Sequence, residues 1–191
     1  MSILPIHVLG APVLRAVTTP VAEITDGVRR LVDDMYETMY AAQGIGLAAP
    51  QVGRSERIAV VDVAGARHAL INPSIVDESG GSERAEEGCL SIPEIYGDVE
   101  RSARVIMRAT NIDGNEFEVE ASELLARCFQ HEIDHLHGKL FIDYFSFLKK
   151  RAANAKWELQ RSKYPNLLRM LTADDIRRLK AEHDDHPDER L

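Results

Sequence analysis

The chain has 191 residues, 45% of them hydrophobic and 28% charged, with a formal net charge of −8. That is enough chain to bury one real core and too little for several independent domains, and the composition excludes collagen-like, low-complexity and wholly disordered classes. The acidic balance argues against a general DNA or RNA binder, and no apolar run approaches the roughly 18 residues that a membrane crossing needs. The opening Met1-Ser2-Ile3-Leu4-Pro5 lacks the basic start, apolar stretch and cleavage site of a signal peptide, so a cytoplasmic location is expected. Cys89 and Cys128 are too few for a disulfide scaffold and are expected as thiols, packed, reactive or metal-bound.

The first predicted element is a helix from about Asp26 to Ala42, where Val28, Leu31, Val32, Met35, Tyr36 and Met39 recur on one apolar face. Thr25 or Asp26 can cap it and Gly44 can end it. The following segment, Gly44-Ile45-Gly46-Leu47-Ala48-Ala49-Pro50-Gln51-Val52-Gly53, formally fits the dinucleotide fingerprint G-x-G-x-x-A. Context rejects that reading, because a Rossmann glycine loop follows a strand and opens a helix, whereas this one follows a helix and meets Pro50 at once. Its small residues suit the approach of an extended peptide to the backbone, with Gln51 offering an amide donor; a plain helix-to-strand connector is the alternative.

Short strands are predicted at Arg57–Val63, Ala69–Asn72, Arg104–Ala109 and Phe117–Glu120, broken at Asn72-Pro73, Gly80-Gly81 and Asp113-Gly114. Alternation around Val105, Met107 and Ala109 is too imperfect to orient its strand. A second helix starts at its expected cap, Ser122, and runs through Leu124, Leu125, Cys128, Phe129, Ile133 and Leu136 to Gly138. A third, from about Ser146 to Ser162, carries a basic stretch. This order indicates one α+β domain over residues 1–165 and a C-terminal extension over 166–191, partly helical, with a frayed end.

The sharpest chemical signal is His131-Glu132-Ile133-Asp134-His135, an H-E-x-x-H string inside the second helix. Residues four apart share a helix face, so both imidazoles can bind one metal while Glu132 projects beside it toward a water. The apolar flanks mark a buried helix, and two His and a Glu are costly to bury without a ligand. A catalytic site needs a third protein ligand. The metzincin solution fails because position 141 is Phe, and Glu158 has the neighbours Lys156 and Arg161 of an ordinary solvated face. Cys128 lies seven residues before His135, a rise of about 10.5 Å that a short side chain bridges poorly, so it reads as core packing. Cys89, in Glu86-Glu87-Gly88-Cys89-Leu90-Ser91-Ile92-Pro93, becomes the economical third ligand.

GIGLAAPQVG at 44–53, EGCLSIP at 87–93 and QHEIDHLHGKLF at 130–141, in this order and spacing, resemble bacterial peptide deformylases over roughly residues 3–150. The resemblance implies short mixed and antiparallel strands around a buried HExxH helix, with a C-terminal helix. It implies removal of the formyl group from the N-terminal formyl-methionine of new polypeptides by one divalent metal ion, natively Fe2+ and replaceable by zinc, nickel or cobalt. Carried over by motif, Cys89, His131 and His135 hold the metal and Glu132 is the general base and acid. Gln51 and the Leu90 N–H stabilise the oxyanion, Gly46 bonds the substrate backbone, and Ile45, Glu87 and Leu125 lie near the methionine pocket. Some family members carry an Arg a few residues after the Cys motif, where this chain has Ile95-Tyr96-Gly97. A zincin-type metallopeptidase is the alternative. Seven basic residues between Lys149 and Arg169 face only Glu158 in sign, and the resemblance makes the ribosome their natural partner; a solvated helix is the bland alternative.

Overall fold

The computed structural model describes residues 2–178. In chain order it runs β1 (Ile6–His7), α1 (Asp26–Ala41), β2 (Gly46–Ala48), β3 (Ile58–Val63), β4 (Ala66–Glu87), β5 (Gly97–Thr110), β6 (Glu116–Ser122), α2 (Glu123–Leu136), α3 (Phe147–Gln160) and β7 (Leu168–Arg169). Strands β2-β3-β4-β5-β6 form one antiparallel sheet in that order, and β1 pairs with β7 in a second, two-stranded one. Among the described residues, no helix is long and apolar enough to cross a membrane.

β3 is apolar at almost every position because both its faces are buried. Ala59, Val61 and Val63 point into a core shared with Phe129, Ile133 and Leu136 of α2, while Ile58 and Val60 point into a core shared with Leu31, Val32, Met35 and Met39 of α1. Each of these side chains larger than alanine contributes about 1.5–3 kcal/mol of burial, which is why α2, polar motif included, is held against the sheet. Thr25 caps α1 as expected, its hydroxyl accepting from the Val28 N–H at 3.4 Å. Gln43 takes the left-handed φ of 57° that closes α1, with the Gly44 N–H donating to the Met39 carbonyl at 2.9 Å.

Strands β4, β5 and β6 are longer than predicted. Asn72-Pro73 and Gly80-Gly81 do not break β4; they fall at register shifts against β5, between Ile71 and Ser74 and between Ser79 and Ser82. A bulge absorbs the proline, which has no N–H, and the two glycines, whose φ values are +76° and +74°, so pairing resumes on both sides. β5 is oriented by burial of Val105, Met107 and Ala109 against α2. Ser122 does sit before α2, but its side chain makes no capping bond, because it is still the last paired residue of β6, opposite Arg104. The turn into the helix is made instead by Glu123 at φ 54°.

Ser146 caps α3, whose buried residues are Ala153, Trp157 and Gln160. The basic side chains of α3 and of the turn that follows it are largely engaged on the protein itself: Lys149 with Asp98, Lys150 with Asp143, Arg161 with Glu158 and Lys163 with Glu94. Beyond residue 165 the chain returns to the N-terminus through β7, with Ile6 opposite Arg169 and His7 opposite Leu168. The frayed end expected for the terminal stretch lies outside the described residues.

Candidate metal centre

α2 sets His131 and His135 one turn apart on the face that looks toward the end of β4, where Gly88 and Cys89 leave the sheet. The ligating atoms of Cys89, His131 and His135 all lie within 4.8 Å of one another, and Cys89 Sγ is 3.2 Å from His135 Nε2. Four turns of helix and a strand end 42 residues upstream therefore converge on one point. Glu158, weighed as a distant ligand, is instead exposed and bonded to Arg161. Cys128 is buried beside the site, its Sγ 3.7 Å from the Ile45 carbonyl, and burial pushes its thiol well up, so it stays neutral packing.

His131 is aimed by a buried polar network. Its Nδ1 is 2.9 Å from Glu87 Oε2, which leaves Nε2 free for a ligand role. Arg101 donates to both Glu87 oxygens, at 2.9 and 3.0 Å, and Arg127 adds a third bond at 2.8 Å. Arg101 also bonds Asp134, which accepts from the Tyr144 hydroxyl at 2.8 Å. Burial raises the Glu87 carboxyl, but the bonds from His131 and Arg101 more than offset this and hold it well below the usual carboxylate range. Glu87, expected near the methionine pocket, lies behind His131, fully buried, with both oxygens occupied. Arg101, Arg127, Asp134 and Tyr144 were missed altogether. Their one legible signal is Arg101 on the same alternate face as Gly97 and Val99, where a charge needs a buried partner.

A small cavity of about 30 Å³ opens beside the three ligands, lined among others by Ile45, Gly46, Gln51, Cys89, Leu90 and Glu132. Gln51 Oε1 accepts from the Ala48 N–H at 2.7 Å, which orients the amide so that Nε2 faces Cys89 Sγ at 3.5 Å and Ser91 Oγ at 3.2 Å. The Leu90 N–H has no hydrogen-bond partner among the described residues. Gly46 is glycine for a steric reason, since a Cβ there would stand 2.3 Å from Glu132 Oε1 and 2.9 Å from Cys128 Sγ. Ile45 and Leu125 both pack on the core above α2, but Leu125 does not line this cavity.

The donor set fits a divalent cation. A thiol and two imidazoles are the ligand chemistry of zinc, iron and their neighbours, and three protein ligands leave a fourth position open. Burial pushes His135 well below its ordinary value, into the neutral form that binds metal. Burial also disfavours charge on His131, yet Cys89 and Glu87 lift it well above the ordinary value, so the electrostatics between these groups attract positive charge. Glu132 is pushed up to about 7 by burial, and its Oε2 is buried with no hydrogen-bond partner among the described residues. A carboxyl raised in this way by burial can exchange a proton near neutral pH.

A family model described as "Polypeptide deformylase" matches residues 3–151. The chain is 54% identical over 162 residues to a peptide deformylase of Alkalilimnicola ehrlichii, covering 83% of this chain and 90% of that one. It is 48% identical over 161 residues to one of Acinetobacter baumannii, covering 83% and 92%. Among solved structures, a Legionella pneumophila peptide deformylase superposes with a TM-score of 0.80 at 40% identity, over 86% of this chain and 100% of that one. The Ehrlichia chaffeensis enzyme in complex with actinonin gives 0.81 at 40%, over 84% and 98%. With the HExxH helix, the converging cysteine and the glycine-walled cavity all inside the matched residues, this chain belongs to the polypeptide deformylase family.

Proposed function

We propose that this chain, as a metal-dependent hydrolase removing the N-formyl group of nascent peptides, holds its ion through Cys89 Sγ and the Nε2 atoms of His131 and His135. The observation that supports this is the convergence of those three groups within 4.8 Å beside an unpartnered Glu132 oxygen. A bound divalent ion supplies a Lewis acid that polarises the formyl oxygen and acidifies water. Fe2+ is the ion in the cell, with Zn2+, Ni2+ or Co2+ able to substitute.

Glu132 accepts the water proton on Oε2 and returns it to the leaving amine. Gln51 Nε2, held in place by the Ala48 N–H, and the Leu90 N–H donate to the formyl oxygen as it gains charge, in a cavity where water is scarce. Gly46 presents its backbone to the substrate, and Ile45 and Leu125 supply the apolar surroundings of the methionine side chain. Glu87 acts indirectly, as the acceptor that orients His131.

Glu132→Gln tests the assignment. It is expected to keep its metal while losing at least about two orders of magnitude in turnover, because the ligands remain and the proton acceptor does not. Parent-like deformylation by that variant would overturn the mechanism. Metal analysis and activity, measured aerobically and anaerobically on one sample, identify the ion; ferrous enzyme is expected to fail in air.

The enzyme acts in the cytoplasm on formyl-Met chains leaving the ribosome, which the basic face of α3 contacts. Exposed ion pairs such as those of Lys149 and Lys150 are worth about 0–1 kcal/mol, so phosphates can displace their present partners. Reversing Lys149, Lys150 and Arg151 to Glu is expected to reduce ribosome co-sedimentation, and unchanged co-sedimentation would refute the contact.

A further inference from the structure

We propose that Arg169 is a substrate-positioning residue that takes a carboxylate of the formylated peptide downstream of its methionine, an inference that rests on the deformylase reading above. A groove of about 970 Å³ begins at Cys89 and Leu90, beside the candidate metal centre, and is bounded further out by Tyr96, Lys156, Lys163, Arg169 and Arg178. An extended peptide advances about 3.3 Å per residue, so residues that follow the methionine enter this groove. Its outer wall is built by residues beyond 151, where the match to the family model ends.

Among the described residues four cations line the groove together with the acids Glu94 and Asp175, and three of the four are already engaged. Lys163 pairs with Glu94 at 3.3 Å, Arg178 pairs with Asp175 at 3.1 Å, and Lys156 donates to the Glu94 carbonyl. Arg169 is half-buried and has neither an ion pair nor a side-chain hydrogen bond among the described residues. Asp175, paired with Arg178, is near enough to attract this guanidinium but does not bond to it, so its donors stay open to a planar carboxylate.

The backbone holds Arg169 there against local preference. Asn166 and Leu167 are consecutive residues at φ 56° and 58°, a conformation disfavoured for side chains with a Cβ, and more so for leucine than for asparagine. They are pinned by the Leu167 N–H to the Tyr164 carbonyl at 3.0 Å, by the Val8 N–H to the Leu167 carbonyl at 2.9 Å, and by the pairing of Arg169 with Ile6. The strained turn starts β7 and thereby delivers the Arg169 side chain to the groove. A carboxylate can come from an acidic side chain or from the end of a short peptide.

The test compares metal-loaded parent, Arg169→Gln and Arg169→Lys on C-terminally amidated formyl-Met-Ala-Ala-Ala peptides with Glu placed at the second, third or fourth residue. A free-acid set separates the terminal carboxylate from the side-chain one. Parent enzyme is expected to favour one carboxylate position by about fivefold to tenfold in kcat/KM, through KM rather than kcat. Arg169→Gln is expected to abolish that ratio and Arg169→Lys to retain part of it, with the deformylated products following the same order in Kd by calorimetry. Equal kcat/KM on all peptides, or a preference that survives Arg169→Gln, overturns the proposal while leaving deformylation intact. Failure of the parent to hydrolyse any of them would strike the deformylase reading instead.

Discussion

Gly46→Ala is the most discriminating perturbation of the site, because it adds one methyl group and removes nothing. The new Cβ would stand 2.3 Å from Glu132 Oε1, about 1 Å short of the 3.4 Å at which ordinary contact begins, and 2.9 Å from Cys128 Sγ. The backbone cannot give way cheaply, since Gly46 is paired with Val61 in the sheet and α2 is packed beneath it. The carboxylate must therefore retreat by about 1 Å, a displacement worth on the order of 100-fold in rate at a reacting group. Overpacking of this kind also costs about 1–3 kcal/mol of stability. None of the three ligands is touched, so metal content is expected to match the parent. The assay is formate release from a formyl-Met peptide by anaerobically prepared enzyme, alongside metal analysis and urea denaturation. The loss is expected mainly in kcat. Parent-like kcat with full metal occupancy would show that Glu132 is not held where the structure has it, or that its position does not matter.

Cys89→Ala is expected to lose both bound metal and activity, whereas Cys128→Ala keeps the metal and costs about 1 kcal/mol of stability, as for a small cavity; metal analysis showing the reverse would sink the ligand assignment. Arg101→Met removes two bonds to Glu87 and one to Asp134 from a buried cluster, and is expected to destabilise by about 3–5 kcal/mol in urea titration and to weaken metal retention. A loss below about 1 kcal/mol would mean that Arg127 alone satisfies Glu87. Burial raises Asp143, but bonds from Arg15 and Lys150 overcome this and hold it at about 2, below its ordinary value of 3.8. Its folded-state value being depressed, its stabilisation is present above 3.8 and lost as pH falls through about 2, so Asp143→Asn is expected to flatten that part of the stability profile. An unchanged acid limb in thermal unfolding would refute this.

Read from the chain alone, the helices and the HExxH motif were legible. The α1 apolar face, its Thr25 cap and the pairing of His131 with His135 depend on residues within a turn or two of each other, so helix periodicity determines them. The choice of Cys89 followed from counting ligands, and the resemblance carried Gln51, Leu90 and Gly46. What no local pattern carries is where distant segments meet. β4 continues through Asn72-Pro73 and Gly80-Gly81 because its partner β5 supplies hydrogen bonds on both sides of each bulge, an energy invisible to turn propensity. Glu87 became the support of His131 because Arg101, Arg127 and α2 close around it, and a carboxylate's role depends on which charges share its burial. The sequence by itself determined that an HExxH helix exists and which chemistry it can hold. Only the tertiary structure decided that Gly46 must be bare so that Glu132 can approach the backbone, and that β7 returns to β1 to set Arg169 over the groove. Both are contacts between segments far apart in the chain, set by packing.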